Sequence, residues 1–285
     1  MKVNLLSDKT MNNNVIANYS RLKSSVFFIP FGFLVAIFLF LYSHDALNIG
    51  NYVLIQQKCF FYINSNLSQF PQTIYNLTQL GDELIFLSLV SVFILNAPKV
   101  WEALIVGSLI SALFSLLLKN LFLVPRPAAV FDHNNFVIIG KVLSGNSSFP
   151  SGHSITVFTI LTVLLFAFMP LKLSSKIGWS TFIFITGTML VFSRVGVGAH
   201  YPLDVIVGSI IGYICGLIGI FVIRKYPISN WIDRKKYYPI FIFIFLVCCI
   251  LLVDRIIHEN LALYYFSLIG LSLSLFKIIA SYVKR

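Results

Sequence analysis

Ionisable and small polar residues recur in three short segments of this chain, and almost purely apolar runs separate the segments. Cations and imidazoles next to hydrocarbon are costly unless they have a partner, so such residues indicate a functional site. The residues that could do chemistry are, in chain order, Lys119, Arg126, Ser151, Gly152, His153, Arg194, His200 and Asp204.

The third segment contains an imidazole and a carboxylate at helical spacing. His200 and Asp204 are four residues apart, and Pro202 between them suits the first turn of a helix. At this spacing the carboxylate can reach one imidazole nitrogen and fix the tautomer. The other nitrogen of His200 would then be a base or a nucleophile. A purely structural histidine and aspartate pair is the simpler alternative.

The second segment has the features of a helix start that binds an anion. Ser151 is a natural N-cap for the apolar run that follows, and Gly152 lets the backbone approach a ligand closely. The free amide groups and the helix dipole at such a start favour negative charge. An ordinary capped helix would leave His153 unexplained.

The first segment places two cations near one point. Lys119 ends an apolar run, and Arg126 lies between Pro125 and Pro127, which prevent a simple helical continuation. Taken alone, both side chains could be snorkelling to a membrane surface.

Together these residues describe a pocket for a tetrahedral oxyanion with up to two negative charges. Three cations and a helix start would neutralise the charge that develops during phosphoryl transfer. One histidine would attack and another would protonate the departing oxygen, so that hydrolysis passes through a phosphohistidine. The cysteines lack zinc-site spacing and no carboxylate cluster is present, so we predict neither a metal nor a cofactor.

The composition predicts that membrane helices hold these residues. Hydrophobic residues make up 58% of the 285 residues and charged residues 11%, against roughly 25% in soluble domains. The apolar runs have helical rather than strand length, which predicts an all-α, polytopic membrane bundle and disfavours a β-barrel. The eight predicted spans are 26–43, 82–98, 101–122, 153–170, 177–194, 203–223, 237–253 and 261–280.

The distribution of basic residues predicts the orientation of the bundle. Of the 21 lysines and arginines, 15 fall on the side of the termini and 6 on the other side. The positive-inside rule then makes both termini cytoplasmic and directs the candidate site outward, to the extracytoplasmic (periplasmic) face of an inner membrane. The basic residues lie on no single soluble domain, so we predict no binding of nucleic acid.

Four further assignments complete the predicted organisation. Residues 1–25 form a polar cytoplasmic segment, and the first span is retained because no cleavage site follows it. Residues 26–223 form a six-span core, and residues 224–285 add two C-terminal spans that carry no polar constellation, which we interpret as a structural addition. Residues 45–81 form either an amphipathic piece at the membrane interface or a plain solvated loop.

The three segments read K-x6-R-P from Lys119 to Pro127, P-S-G-H from Pro150 to His153, and S-R-x5-H-x3-D from Ser193 to Asp204. This pattern resembles the three-part signature of the type 2 phosphatidic acid phosphatase superfamily, which includes vanadium haloperoxidases. All three parts are present in order, without a gap or a substitution. The two spans after residue 236 depart from the minimal pattern.

The resemblance implies a role for each residue of the site. His200 would be the nucleophile, Asp204 its orienting partner and His153 the general acid. The groups that would hold the phosphate are Lys119, Arg126, Ser151, Gly152 and Arg194. The implied function is a metal-independent membrane phosphatase that acts on a lipid phosphate.

Several alternatives remain open at this point. The substrate could be phosphatidate or phosphatidylglycerol phosphate, undecaprenyl diphosphate, or a lipid A phosphate. A phosphotransferase would pass the phosphoryl group from the same histidine to another lipid. A non-catalytic binder or transporter of lipid phosphates would keep only the anion site, and a haloperoxidase would place vanadate there, although the enzymes of that group are soluble.

Overall fold

The computed structural model describes residues 3–226 and 235–283, and within these ranges the chain is helical with no strand. This confirms the predicted all-α helical bundle. The α-helices are α1 (Val3–Ser20), α2 (Phe28–Ser43), α3 (Ile49–Leu67), α4 (Pro71–Gln79), α5 (Glu83–Val90), α6 (Pro98–Phe122), α7 (Pro127–Val130), α8 (Gly152–Ala167), α9 (Leu173–Gly196), α10 (Pro202–Lys225), α11 (Tyr238–Glu259) and α12 (Ala262–Val283). Short 3₁₀ turns occupy Ser24–Phe27, Ser91–Phe93, His133–Asn135 and Lys235–Tyr237.

Each predicted span coincides with an apolar helix, but two of these helices are short. Among the described residues, six helical segments are long and apolar enough to cross a membrane, and three of them join a helix to a neighbouring short helix or 3₁₀ turn. They are Ser24–Ser43, Pro98–Val130, Leu173–Gly196, Pro202–Lys225, Lys235–Glu259 and Ala262–Val283. The spans predicted at 82–98 and 153–170 correspond to the shorter helices Glu83–Phe93 and Gly152–Ala167. At 1.5 Å per residue the second is about 24 Å long, less than a hydrocarbon core of about 30 Å.

Burial within the bundle explains why α8 is short and still apolar. Most of its residues are buried by neighbouring helices, including Thr159, Ile160 and Val163. Because α8 contacts protein along most of its length, its length does not have to match the thickness of the lipid.

A row of glycines on α10 brings this helix into backbone contact with α8. A Cβ atom added at Gly208 would lie 2.7 Å from the carbonyl oxygen of Ser151, and one at Gly216 would lie 2.7 Å from that of Thr159. A Cβ atom at Gly212 would overlap the backbone of Ile155. Small residues at such spacing let two helices approach closely. The starts of α8 and α10, which carry the second and third motif segments, are therefore held side by side.

The helix α1 covers the end of the bundle opposite these helix starts. Its Asn18 side chain donates to the carbonyl oxygens of Ala167 and Met169 at 3.0 and 3.1 Å. Its Tyr19 hydroxyl donates to the carbonyl oxygen of Val163 at 3.3 Å. These contacts satisfy backbone acceptors at the end of α8. The sequence indicated only a polar segment here.

The segment 45–81 forms α3 and α4, which pack on the core. Phe60 and Asn64 of α3 are fully buried, and the Asn64 amide donates to the carbonyl oxygens of Val195 and Gly196 at 3.1 and 3.0 Å. Such burial excludes a plain solvated loop. Of the two alternatives, an amphipathic helix agrees with the structure.

The last two helices, α11 and α12, form a hairpin that packs against α5. The hydroxyl groups of Ser91 and Ser274 lie 2.8 Å apart, and the Ser267 hydroxyl donates to the carbonyl oxygen of Ile85 at 3.4 Å.

Some of the basic residues used to predict the orientation, namely Lys2, Arg234, Lys284 and Arg285, lie outside the described residues.

Candidate active site

His200 and Asp204 lie at the turn from α9 into α10 and are both buried. The Nδ1 atom of His200 is 3.4 Å from Oδ2 of Asp204. The backbone N–H of Tyr201 donates to the same Oδ2 atom at 3.0 Å, in a capping interaction that orients the carboxylate. The predicted contact between this imidazole and this carboxylate is therefore present.

Two hydroxyl groups that the sequence did not reveal also bind Asp204. The Tyr52 hydroxyl donates to Oδ1 at 2.7 Å, and the Ser148 hydroxyl donates to Oδ2 at 2.6 Å. Tyr52 comes from α3, 152 residues away in sequence. The Ser148 hydroxyl is also 3.5 Å from Nδ1 of His200, so it bridges the two groups. The position of Ser148 just before the P-S-G-H segment was the one available signal.

Arg126 faces the other imidazole nitrogen. Its Nη1 atom is 3.4 Å from Nε2 of His200 and donates to the carbonyl oxygen of Ala199 at 3.1 Å. A guanidinium group can only donate, so this contact requires that Nε2 carry its lone pair and that the imidazole proton be on Nδ1, toward Asp204. The geometry thus assigns one tautomer to His200.

The surroundings keep the His200 imidazole neutral. Burial lowers the pKa of His200 well below its ordinary value, and the positive charges of Arg126, Arg194 and Lys119 lower it further. An unprotonated Nε2 atom at neutral pH is what a nucleophile or a base requires.

The second motif segment begins α8 as predicted. The Ser151 hydroxyl accepts a hydrogen bond from the backbone N–H of Ser154 at 3.4 Å, so Ser151 is the N-cap. The backbone N–H of Ser151 donates to the carbonyl oxygen of Asp204 at 3.0 Å and ties this segment to the third. Gly152 also permits a close approach, since a Cβ atom there would lie 3.2 Å from Nζ of Lys119.

Arg194 and His153 line a common cavity of about 690 Å³. Arg194 is 7% exposed, and its Nη1 atom donates to the Thr78 hydroxyl of α4 at 2.8 Å. Its Nε atom is buried and has no hydrogen-bond partner among the described residues. A buried, unpaired donor at the wall of a cavity is available to an anion.

Lys119 lies on another side of the site. With Gly152 it lines a smaller cavity of about 310 Å³, which Glu83 and Ser115 also border. The structure thus brings His200, Asp204 and Arg126 into direct contact, places Arg194 and His153 on one cavity, and sets Lys119 beside the start of α8. Within residues 3–226 and 235–283, no three histidine, cysteine or acidic side chains are grouped so that they could hold a metal ion.

The outer end of the C-terminal hairpin also reaches this site. Asp254, Arg255, His258 and Glu259 of α11 and Tyr264 of α12 line the cavity that contains His153 and Arg194. We predicted no polar constellation in the spans 237–253 and 261–280, and four of these five residues lie between those two spans. The four residues belong to no motif that we recognised in the sequence.

Comparisons with known proteins show what this chain is similar to. A profile of the PAP2 superfamily matches residues 101–229. The chain is 32% identical over 102 residues to undecaprenyl-diphosphatase BcrC of Bacillus subtilis (strain 168), across 36% of this chain and 47% of that protein. The chain therefore matches about half the length of this relative.

A solved structure is also similar to this chain. The crystal structure of Aquifex aeolicus LpxE matches with a TM-score of 0.47 and 31% sequence identity. The match covers 59% of this chain and 95% of that one.

The region matched by the family profile contains all three motif segments, from Lys119 to Asp204, and the helices that hold them. Sequence pattern and profile match agree: residues 101–229 of this chain belong to the PAP2 superfamily, that of the type 2 phosphatidic acid phosphatases.

Proposed function

We propose that this protein is a membrane phosphatase that hydrolyses a lipid phosphate through a phosphohistidine at His200, without a metal. One observation carries the proposal. The buried His200 imidazole has Asp204 at Nδ1, 3.4 Å away, and the guanidinium of Arg126 at Nε2, also 3.4 Å away. A lone pair on Nε2 next to a cation suits attack on an anionic phosphorus centre.

In the first step, Nε2 of His200 attacks the phosphorus atom and the bond from phosphorus to the lipid oxygen breaks. Asp204 holds the Nδ1 proton and stabilises the positive charge that develops on the ring. His153 gives a proton to the departing lipid oxygen. Lys119, Arg126 and Arg194, with the amides at the start of α8, bind the phosphoryl oxygens, as the resemblance implied.

In the second step, water attacks the phosphohistidine. His153, now unprotonated, takes a proton from this water, the N–P bond breaks, and inorganic phosphate leaves. The sum of both steps is one water consumed, one phosphate released and one lipid product with a free hydroxyl or one phosphate fewer. His200 returns to its neutral form.

The substrate class is a phosphorylated membrane lipid, and the active site faces the extracytoplasmic side of an inner membrane. The named activity of the relative, an undecaprenyl-diphosphatase, supports the first statement. The bias of 15 basic residues against 6 supports the second and makes both termini cytoplasmic. Within this proposal, residues 26–223 are the phosphatase core and residues 224–285 an addition to it.

The test is release of inorganic phosphate from lipid phosphates by the purified protein in detergent micelles. Wild-type protein releases phosphate without an added acceptor, and His200→Ala does not. His44→Ala is the matched control, because His44 is an exposed histidine that is not part of the site. Release that requires an acceptor lipid would instead favour a phosphotransferase, and a phosphohistidine trapped in the wild type but absent from His200→Ala would locate the nucleophile.

Two inhibitors test the chemistry separately. Vanadate, which resembles the transferring phosphoryl group, inhibits the reaction, and EDTA leaves the rate unchanged. A loss of rate in EDTA that magnesium restores would overturn the metal-independent mechanism.

A further inference from the structure

The cavity lined by His153, Arg194 and Ala199, the residue before the candidate nucleophile, is much larger than a phosphate group needs. Its volume of about 690 Å³ is within the range of cavities that hold ligands of drug size. Arg194 and His153 line one part of it, and the outer end of the C-terminal hairpin lines another. The hairpin lies outside residues 101–229, the region that the family profile matches.

The hairpin side of the cavity is polar and held in place. Glu259 accepts hydrogen bonds at Oε2 from the hydroxyl groups of Tyr264 and Tyr75, at 2.7 and 3.1 Å. Arg255 donates to Oδ2 of Asp82 at 3.0 Å. These contacts join α11 and α12 to α4 and to the start of α5, so this wall has a defined position relative to Arg194.

Some polar atoms on the wall remain available to a ligand. Oε1 of Glu259 has no hydrogen-bond partner within the described part of the chain, and neither do the side chains of Gln79 and Lys141. The buried, unpartnered Nε atom of Arg194 is an independent sign that a ligand binds in this cavity.

The charged residues on the hairpin side of the cavity, which we call the wall, indicate which chemical groups bind there. Arg255 is paired with Asp82, and Nδ1 of His258 lies 3.5 Å from Oδ1 of Asp254. Apart from Arg194 on the opposite part of the cavity, this leaves the carboxylates of Asp254 and Glu259 against the cation Lys141. A second phosphate placed there would meet more negative than positive charge. Hydroxyl or amino groups would find carboxylate acceptors instead.

We infer that the C-terminal hairpin selects the substrate: its residues Asp254 and Glu259 bind the hydroxyl or amino groups of a polar head group attached to the phosphate that His200 attacks. The inference rests on the proposed function and narrows its substrate class. Lipids that bear glycerol or an amino sugar at this position fit the cavity. Phosphatidate and a prenyl diphosphate offer the wall nothing to bind.

The experiment compares four lipids in the same micelles. Phosphatidylglycerol phosphate and lipid A carry hydroxyl groups near the phosphate, and phosphatidate and undecaprenyl diphosphate do not. Wild-type kcat/KM is expected to be about tenfold higher for the better of the first pair than for either of the second, the worth of one or two hydrogen bonds.

Two variants then test the wall. Glu259→Gln keeps an acceptor for the two tyrosines but removes the charge, and Asp254→Asn changes an exposed side chain that leaves the packing intact. Both variants are expected to lower the selectivity ratio, which is kcat/KM for the hydroxyl-bearing lipid divided by kcat/KM for a lipid without such hydroxyl groups. The ratio falls about fivefold, mainly because KM for the hydroxyl-bearing lipid rises. Asp45→Asn, at an exposed carboxylate away from this cavity, leaves the ratio unchanged.

The outcomes separate the two proposals. A wild-type enzyme that prefers phosphatidate or the prenyl diphosphate, or variants that lower all four rates equally, would overturn the role of the hairpin and leave the phosphatase intact. No phosphate release from any of the four lipids would overturn the proposed function itself. If Glu259→Gln does not fold, the selectivity ratio of Asp254→Asn alone tests the role of the hairpin.

Discussion

The region matched by the family profile, residues 101–229, and the segments on either side of it contribute differently to the candidate site. The matched region supplies every group that would contact the phosphoryl oxygens or phosphorus. The flanking segments supply the Tyr52 hydroxyl to Asp204, the Thr78 hydroxyl to Arg194 and the polar wall of the hairpin. In the proposed mechanism, one region thus provides the reacting groups, and the other provides their support and part of the cavity wall.

This division explains why only one of the two regions carries a recognisable signature. A reacting group must be a particular residue at a particular place, because phosphoryl transfer needs an imidazole, a carboxylate and cations. A supporting hydrogen bond needs only a hydroxyl group within reach, and a helix has many positions that can provide one. Mutations in the two regions therefore differ in the size of their effects.

The largest effect is expected for Asp204→Asn in the matched region. The amide cannot stabilise the imidazolium of His200 or fix its tautomer, and kcat falls by about 10²- to 10⁴-fold. Phosphate release by Asp204→Asn is compared with phosphate release by the control variant Asp45→Asn. A loss of less than tenfold would show that Asp204 does not orient the nucleophile.

A packing change in the same region is expected to lower the stability of the protein rather than its catalytic rate. Gly212→Ala places a methyl group against the backbone of Ile155 and destabilises the protein by about 1–3 kcal/mol. Thermal unfolding in detergent measures this as a lower midpoint. Gly178→Ala, where no atom lies within 4 Å of an added Cβ, is the control. Equal midpoints for both variants would refute close packing between α8 and α10.

Tyr52→Phe tests the support that comes from outside the matched region. It removes a 2.7 Å hydrogen bond to a buried carboxylate, a loss of about 1.5–3 kcal/mol, and lowers kcat roughly tenfold or more. Tyr62→Phe changes an exposed tyrosine of the same helix and leaves kcat unaffected. A wild-type kcat in Tyr52→Phe would confine the positioning of Asp204 to the matched region.

Thr78→Val gives a smaller change in a different constant. The variant leaves Nη1 of Arg194 without its 2.8 Å partner, so the guanidinium is less well placed and KM rises several-fold with little change in kcat. Thr73→Val, at an exposed threonine of α4, is the matched control. A fall in kcat without a change in KM would instead assign Arg194 to the transition state alone.

The smallest effect is a displacement in the pH profile. Since burial and the neighbouring cations lower the pKa of His200, its unprotonated form persists below pH 6.5, the ordinary value. The acid limb of kcat/KM therefore lies below about pH 6.5. The profile is measured with two substrates whose phosphate groups have different pKa values. A limb that stays in place with both substrates belongs to a group of the enzyme, and one that moves belongs to the substrate. A common midpoint above pH 6.5 would contradict the neutral His200.

The sequence was sufficient for the parts of the molecule that repeat a residue type at a characteristic spacing. It predicted Ser151 as an N-cap, Pro202 in a first turn and eight apolar helices. It did not predict that Tyr52 reaches Asp204, because a contact across 152 residues depends on how α3 packs and leaves no local pattern. It also overlooked the polar end of the hairpin, whose residues are close to His153 only in the folded chain.

The glycine contacts between α8 and α10 have a consequence for how a lipid enters. Two helices that meet backbone to backbone have no layer of side chains that could rearrange between them, so Ser151 and Asp204 move as a single rigid piece. We therefore expect any movement that admits a lipid to occur in the surrounding helices, α3, α4 and the hairpin, and not between α8 and α10.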